Sequence, residues 1–297
     1  MKTAWLVVNG YLQSEKFEEI YNWLIEAAGK EGYSLRKIPN DQLDSILPAN
    51  PQNINWNTRP EFVLFWDKDI NLARMLEREG FRVFNSAEGI EACDSKALTF
   101  IKLRNKNIKM PKTYIAPMTF DKEYKDYTFV LQVEGNIGYP MVIKENNGSF
   151  GEQVYLVNNY YEAVEKIKDI GHDKFVMQEY IESSKGRDVR IHVVGDEVIT
   201  AMERVNDKDF RANITNGGKM KKYEPTPEQK QMAIDVCREL NLDFAGVDIL
   251  FGKDNEPVLC EVNSNAHFKN IYDCTGVNVA EHIMKYIKKK VSEDNDK

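Results

Sequence analysis

Over the first ninety or so residues the apolar positions switch between short continuous runs and a helical spacing. Trp5–Val8 is an apolar run of strand length, and Ser14–Ala28 carries Phe17, Ile20, Tyr21 and Leu24 along one helical face. Ser34–Ile38, Phe62–Trp66 and Arg82–Phe84 read as strands, and Asp69–Glu79 as a helix ended by Gly80. Strands alternating with helices predict parallel pairing through crossovers. Pro48–Pro60, rich in Asn and Pro, reads as a loop.

Beyond this point strands dominate. Asp94 is placed to cap a helix running to about Asn105, and Pro111 starts an extended piece. Strands are expected at Met141–Lys144, Gln153–Val157, Phe175–Ile181, Val189–Val194 and Val198–Val205, with a helix at Tyr160–Lys168. Gly195-Asp196 lies between two apolar runs as a hairpin turn. Helices follow at Pro227–Leu240 and Val279–Lys290, and Ser292–Lys297 reads as a solvated tail.

The segment Ala245–Asn263 reads as two apolar strands joined by a polar turn. A two-residue turn at Asp254-Asn255 sets Asp248 opposite Glu261 and Gly246 opposite Asn263, all on one face. The other face, Val247, Ile249, Phe251, Val258, Cys260 and Val262, is apolar and fixes the register. Two carboxylates opposed across a ladder repel. A cation between them would reverse that cost, and Asp, Glu and Asn supply the hard oxygens that Mg²⁺ accepts beside substrate phosphates.

Composition narrows the class. The chain has 297 residues, 42% hydrophobic and 29% charged, enough for a sizeable core divided into subdomains. A net charge of −7 argues against covering phosphate backbones, so no nucleic-acid partner is expected. The four cysteines (Cys93, Cys237, Cys260, Cys274) show no metal spacing and fit free thiols in a reducing cytoplasm. No apolar run approaches the ~20 residues of a membrane span, and Ala4–Val8 is too short for a secretory core. The expected location is cytoplasmic, without a membrane partner; a homo-oligomer is left open.

Several basic residues sit where anions could be met. Lys144 ends an apolar strand and precedes Glu-Asn-Asn-Gly-Ser-Phe-Gly, a loop whose freed backbone N–H groups can cradle phosphate; an ordinary strand-end Lys reaching for water looks the same. Lys96 lies in the first turn of its helix, where the macrodipole disfavours a cation unless an anion is near. Arg187, Asp188, Arg190, Glu203, Arg204 and Arg211 crowd one hairpin and its exit, either as phosphate-binding guanidinium groups or as surface ion pairs. No Gly-x-Gly-x-x-Gly follows the first strand, and no Gly-x-Ser-x-Gly elbow occurs.

In order along the chain, Asp94-Ser-Lys96, Val142-Ile-Lys144, Gln178-Glu-Tyr-Ile181, Gly186-Arg-Asp-Val-Arg190, Glu203-Arg204, Asp209–Asn213, Ala245–Asp248 and Glu261-Val-Asn263 resemble the ATP-grasp superfamily. Within it they are most similar to the RimK-type carboxylate–amine (α-L-glutamate) ligases, over about Ser86 to Ile287. The resemblance implies an α/β and α+β architecture: an ATP-grasp fold behind a pre-ATP-grasp α/β domain. The expected division is 1–93, then 94–181 with a small lid around 112–181, then 182–297. Carried over, Lys96 and Lys144 contact phosphates, and Gln178, Glu179, Tyr180 and Ile181 hold adenine and ribose. Asp188, Arg211 and Asn213 complete the nucleotide site, while Asp248, Glu261 and Asn263 bind Mg²⁺, with Mn²⁺ as an alternative. Arg204 and Arg190 are expected to steady the charge of an acyl phosphate.

The implied reaction joins a carboxylate to an amine at the expense of ATP, adding glutamate or a similar amino acid to a small molecule or peptide end. The rivals are a ligase activating side-chain carboxylates of a peptide and an ATP-binding module without turnover. One stretch departs from the glutamate-ligase pattern. A small-Ser-Pro-Gly turn usually follows the metal Asn, whereas this chain has Ser264-Asn-Ala-His-Phe-Lys-Asn270. Its Phe-Lys-Asn resembles the amino-group-carrier ligases of lysine biosynthesis, with His267 where those carry Glu.

Overall fold

The computed structural model describes residues 1–12, 14–43, 59–148 and 152–295, which form three sheets. The first contains β1 (Lys2–Val8), β2 (Tyr33–Pro39), β3 (Val63–Trp66) and β4 (Val83–Phe84), all parallel in the order β2-β1-β3-β4. Its alternating strand–helix pattern is the one the sequence predicts. α1 (Glu15–Lys30) packs Ile20 and Leu24 against Leu6, Leu64 and Phe62. α2 (Ile70–Arg78) covers the opposite face, where Leu72 and Leu76 meet Val7, Val63 and Phe65. The Asp69 carboxylate caps α2 by accepting from Leu72 N–H at 3.0 Å. Of the expected loop Pro48–Pro60, all but the last two residues lie outside the described residues.

Two short helices lead to the second sheet. α3 (Ala87–Asp94) was not anticipated, and it moves the next cap by one residue: Ser95, not Asp94, accepts from Leu98 N–H and starts α4 (Lys96–Leu103). Asp94 is instead the last residue of α3, with its carboxylate 2.6 Å from Lys68 Nζ.

The second sheet has β5 (Thr113–Ile115), β6 (Met141–Glu145), β7 (Val154–Val157) and β8 (Phe175–Glu179) in the antiparallel order β5-β8-β6-β7. α5 (Thr128–Ile137), which the sequence pattern did not reveal, and α6 (Tyr160–Ile170) cover one face through Val130, Val133 and Ile167 on Ile143 and Met177. Alternation then turns Val142, Lys144 and Gln178 to the other face.

The third sheet is antiparallel. It orders β9 (Arg187–Val194), β10 (Glu197–Val205), β11 (Lys219–Lys222), β12 (Phe244–Phe251) and β13 (Pro257–Asn263) as β11-β10-β9-β12-β13. Val189, Ile191, Val247 and Ile249 pack on Ala233 and Val236 of α7 (Pro227–Glu239). The intervening residues of the same strands, Asp188, Arg190, His192 and Asp248, therefore share the opposite face. Gly195, at φ +59°, makes the expected turn between β9 and β10.

α8 (Lys269–Thr275) and α9 (Val279–Asn295) complete the chain, α9 packing on α1. The tail expected from Ser292 is helical to Asn295. Among the described residues no helix is long and apolar enough to cross a membrane.

Candidate active site

The polar face of the third sheet is built on a chain of ion pairs set by strand register. Arg190 lies opposite Asp248, and Arg204 opposite Asp188. Arg190 donates from Nε to Asp248 Oδ1 at 2.7 Å and from Nη2 to Oδ2 at 2.6 Å. Arg204 donates to both oxygens of Asp188, at 2.6 and 2.7 Å, and reaches Asp248 Oδ2 at 2.9 Å. Asp188, Arg204 and Asp248 are all buried. Burial works against the charge of Asp248, but Arg190 and Arg204 outweigh it and hold the carboxyl at about 2. Burial also opposes the charge of Arg204, and Asp188 and Asp248 keep it firmly protonated.

The hairpin register matches expectation for its inner half: Gly246 faces Asn263 and Asp248 faces Glu261. Beyond Asp248 a bulge shifts the pairing, so that Ile249 faces Leu259. The extra residue is Cys260, expected on the apolar face. Leu259 takes that place in the core, while Cys260 joins Glu261 in lining a cleft. The turn is longer than the two residues expected, with β12 ending at Phe251 and β13 starting at Pro257; Asp254 and Asn255 do adopt left-handed φ, +57° and +61°.

The expected repulsion between Asp248 and Glu261 is also modified. Two guanidinium groups already balance Asp248. Glu261 is the uncompensated carboxylate, without an ion pair or hydrogen bond among the described residues.

The first cleft lies between the free face of the second sheet and the third sheet. It is a partly open cleft whose wall mixes apolar side chains such as Val142, Val154 and Leu250 with polar and charged ones, as small-molecule sites do. Of the residues singled out in the sequence it gathers Lys144, Gln178, Glu179, Tyr180, Ile181, Asp188, Arg211, Asn213 and Glu261. Gln178 Nε2 donates to Thr113 Oγ1, and Glu179 accepts from Lys112 N–H, which steadies the edge of the cleft. The buried Tyr180 hydroxyl has no partner among the described residues. Arg211 is held by Asp209 at 2.7 Å.

Lys144 Nζ lies 4.0 Å from Cys260 Sγ. Lys96 is buried at the start of α4 and donates to Gly148 O at 3.2 Å. Burial, aided by Lys144 and Lys68, lowers its pKa against the pull of Glu261. The rest of the loop after Gly148, Ser149 to Gly151, falls outside the described residues.

A second cavity lies on the other side of Glu261 and Asn213, which line both. Arg190, Arg204 and Asn263 line it from the third sheet, and Lys16, Phe17 and Lys68 from the first unit. The loop after β13 adds Asn265, Ala266 and His267. That loop can fold back because Gly246 has no side chain: a Cβ there would stand 2.5 Å from Ala266 Cβ. Burial and the Lys16 charge push the His267 pKa down to about 4, so the ring is neutral at neutral pH. Sequence spacing gave no signal for Lys16 or Phe17, which approach from a different unit.

Among the described residues no three His, Cys, Asp or Glu side chains are gathered for a metal. A divalent ion here would need other oxygens, which is how Mg²⁺ is commonly held, through one or two carboxylates plus phosphate. The residues fit that mode. Glu261 is uncommitted, and Asn263 Nδ2 has no partner, so nothing pins which way that amide faces. Asp248 is bound by arginines on the same face: Oδ2 accepts from both of them, Oδ1 from Arg190 alone, so Oδ1 keeps a lone pair for an ion.

Residues 93–287 match the RimK-like ATP-grasp domain family. Human N-acetylaspartylglutamate synthase A is 33% identical over 204 residues, covering 68% of this chain and 51% of the human protein. A probable alpha-L-glutamate ligase of Legionella pneumophila (strain Corby) is 32% identical over 220 residues, covering 73% of this chain and 70% of that one. Among solved structures, the ATP-grasp ligase PsnB complexed with minimal precursor, Mg and ADP superposes with a TM-score of 0.71 at 16% identity, covering 97% of each chain. At that identity the likeness shows the fold. The chain belongs to the RimK-like ATP-grasp family and is a carboxylate–amine ligase with the ATP-grasp fold.

Proposed function

We propose that this ligase spends ATP, as ADP and phosphate, to join a carboxylate on a small molecule or peptide end to the α-amine of an amino acid, glutamate foremost. The observation that carries this reading is the junction of two cavities at Glu261 and Asn213. One cavity suits a nucleotide and the other its reaction partners, so a phosphoryl group can pass between them without leaving the protein. The names of the two relatives support glutamate. The proposed units are 1–93, 94–181 and 182–297, with the nucleotide between the last two.

In the first step the carboxylate oxygen attacks the γ-phosphorus and ADP leaves. Lys96 and Lys144 draw the phosphates in, while Gln178, Glu179, Tyr180 and Ile181 hold adenine and ribose. Asp188, Arg211 and Asn213 complete that side. Asp248, Glu261 and Asn263 would hold Mg²⁺, or Mn²⁺ in its place, which when bound neutralises charge on the transferring phosphoryl group. In the second step the amine nitrogen attacks the acyl carbon, phosphate departs, and the nitrogen loses its extra proton. Arg204 and Arg190 face the acyl phosphate. Asp188 and Asp248 hold these guanidinium groups in place beforehand, so little reorganisation is needed as charge develops.

The test is incubation with ATP, Mg²⁺, glutamate and a panel of carboxylates, with products read by mass spectrometry. The expected result is an amide at a chain end, with ADP and phosphate. AMP and pyrophosphate would overturn the acyl-phosphate route. An amide on a peptide side chain would favour the peptide-modifying rival, and nucleotide binding without turnover would favour the binding module.

A further inference from the structure

Two side chains of the loop after β13 are oriented by backbone carbonyls of the first unit. Asn265 Nδ2 donates to Asp67 O at 2.7 Å, and His267 Nε2 lies 3.2 Å from Lys16 O. A carbonyl only accepts, so each contact fixes a donor: the amide nitrogen in one case, the Nε2–H tautomer in the other. The atoms left over, Asn265 Oδ1 and His267 Nδ1, are therefore both acceptors. Both are buried and neither has a partner among the described residues. An unmet buried acceptor is destabilising, and this loop carries two of them, two positions apart, on side chains lining one cavity.

We propose that Asn265 Oδ1 and His267 Nδ1 form the subsite for the ammonium of the amino-acid substrate, with Arg190 and Lys16 on its carboxylate side. An ammonium carries three N–H donors and serves both acceptors at once, which a hydroxyl cannot. Both rings of chemistry are present in the same cavity: Arg190 has committed Nε and Nη2 to Asp248 and retains Nη1, and Lys16 adds a second cation. The edge-on contact with Phe17, at 5.4 Å between centroids, holds the imidazole plane in place. This assignment rests on the ligase reading above and names the residues that select its amine.

The two half-reactions separate the proposal from that reading. Acyl phosphate is trapped by hydroxylamine as a hydroxamate, without any amino acid, whereas amide formation needs the subsite. In Asn265→Leu and His267→Phe, KM for glutamate should rise about tenfold or more, the value of a charge-assisted hydrogen bond, while hydroxamate formation stays within about twofold of wild type. An unchanged KM in both variants overturns the subsite. Absence of hydroxamate from the wild-type enzyme with every carboxylate removes the ligase reading, and the subsite with it. If the variants do not fold, nitrogen NMR of the wild-type chain decides: the His267 Nδ1 resonance should move with glutamate but not with glutarate, which lacks the amine. Equal shifts with both, or none with either, overturn the proposal.

Discussion

Arg190 and Asp248 face each other across adjacent strands and meet at two points, 2.7 and 2.6 Å apart. The carboxylate proposed for the metal is thus also the counter-ion of two arginines. Asp248→Asn would strip that charge from a buried network, at a cost of about 3 kcal/mol in urea unfolding. Glu261→Gln removes a carboxylate that pairs with nothing described, and should leave stability within about 1 kcal/mol while turnover is lost. Loss of stability in both variants, or activity in Glu261→Gln, would refute the division of labour between them.

The same pair sets an acid limit. The folded Asp248 pKa, about 2, lies below its ordinary 3.8, so its stabilisation is complete above the ordinary value. It is lost as pH falls from there through about 2. The acid limb of stability should therefore shrink in Asp248→Asn relative to wild type, as urea midpoints at several pH values will show.

Lys96 runs the other way. Its folded pKa is lowered by burial, so the folded state binds fewer protons than the unfolded chain in the interval up to the ordinary 10.5. The cost of the buried charge is full below the folded value and fades as pH rises through that interval. Lys96→Met should raise thermal stability by about 1 kcal/mol at neutral pH and weaken ATP binding measured by calorimetry. A destabilised variant with unaltered ATP affinity would count against a phosphate role.

Asp243 lies outside the two cavities of the active site, accepting from the Tyr286 hydroxyl at 2.9 Å. Burial raises its pKa from 3.8 to about 6. The folded state then binds the extra proton, so stability falls as pH rises between those values. Asp243→Asn should stabilise the protein by about 2–3 kcal/mol at pH 7 and by little at pH 4. Equal effects at both pH values would contradict this.

The sequence carried the inner half of the β12–β13 hairpin because Val247, Ile249 and Val262 must face α7, which leaves Asp248 and Glu261 together. It could not carry the bulge at Cys260, since Leu259 and Cys260 are both apolar enough for the core. Crowding of arginines and acids in β9 and β10 was visible, but their partnership with Asp248 depends on β12 lying beside β9, a non-local pairing. α5 was hidden because only Val130 and Val133 of its ten residues are buried, too few to establish a helical period. The burial of Lys96 was not legible because the loop that covers it comes from about fifty residues further along, at Asn146 to Gly148. The second cavity escaped because part of its wall, Lys16 and Phe17 of α1 with Lys68, comes from segments far along the chain from the β12–β13 hairpin.

The central claim is that phosphate passes from the nucleotide cleft to a carboxylate at Glu261 and Asn213. A carboxylate substrate found in the panel, labelled with ¹⁸O in its carboxyl group, tests it most directly when the released phosphate and nucleotide are weighed by mass spectrometry. One ¹⁸O atom in each phosphate, and none in nucleotide, is the predicted result. Label in AMP, or unlabelled phosphate alongside a formed amide, would contradict it.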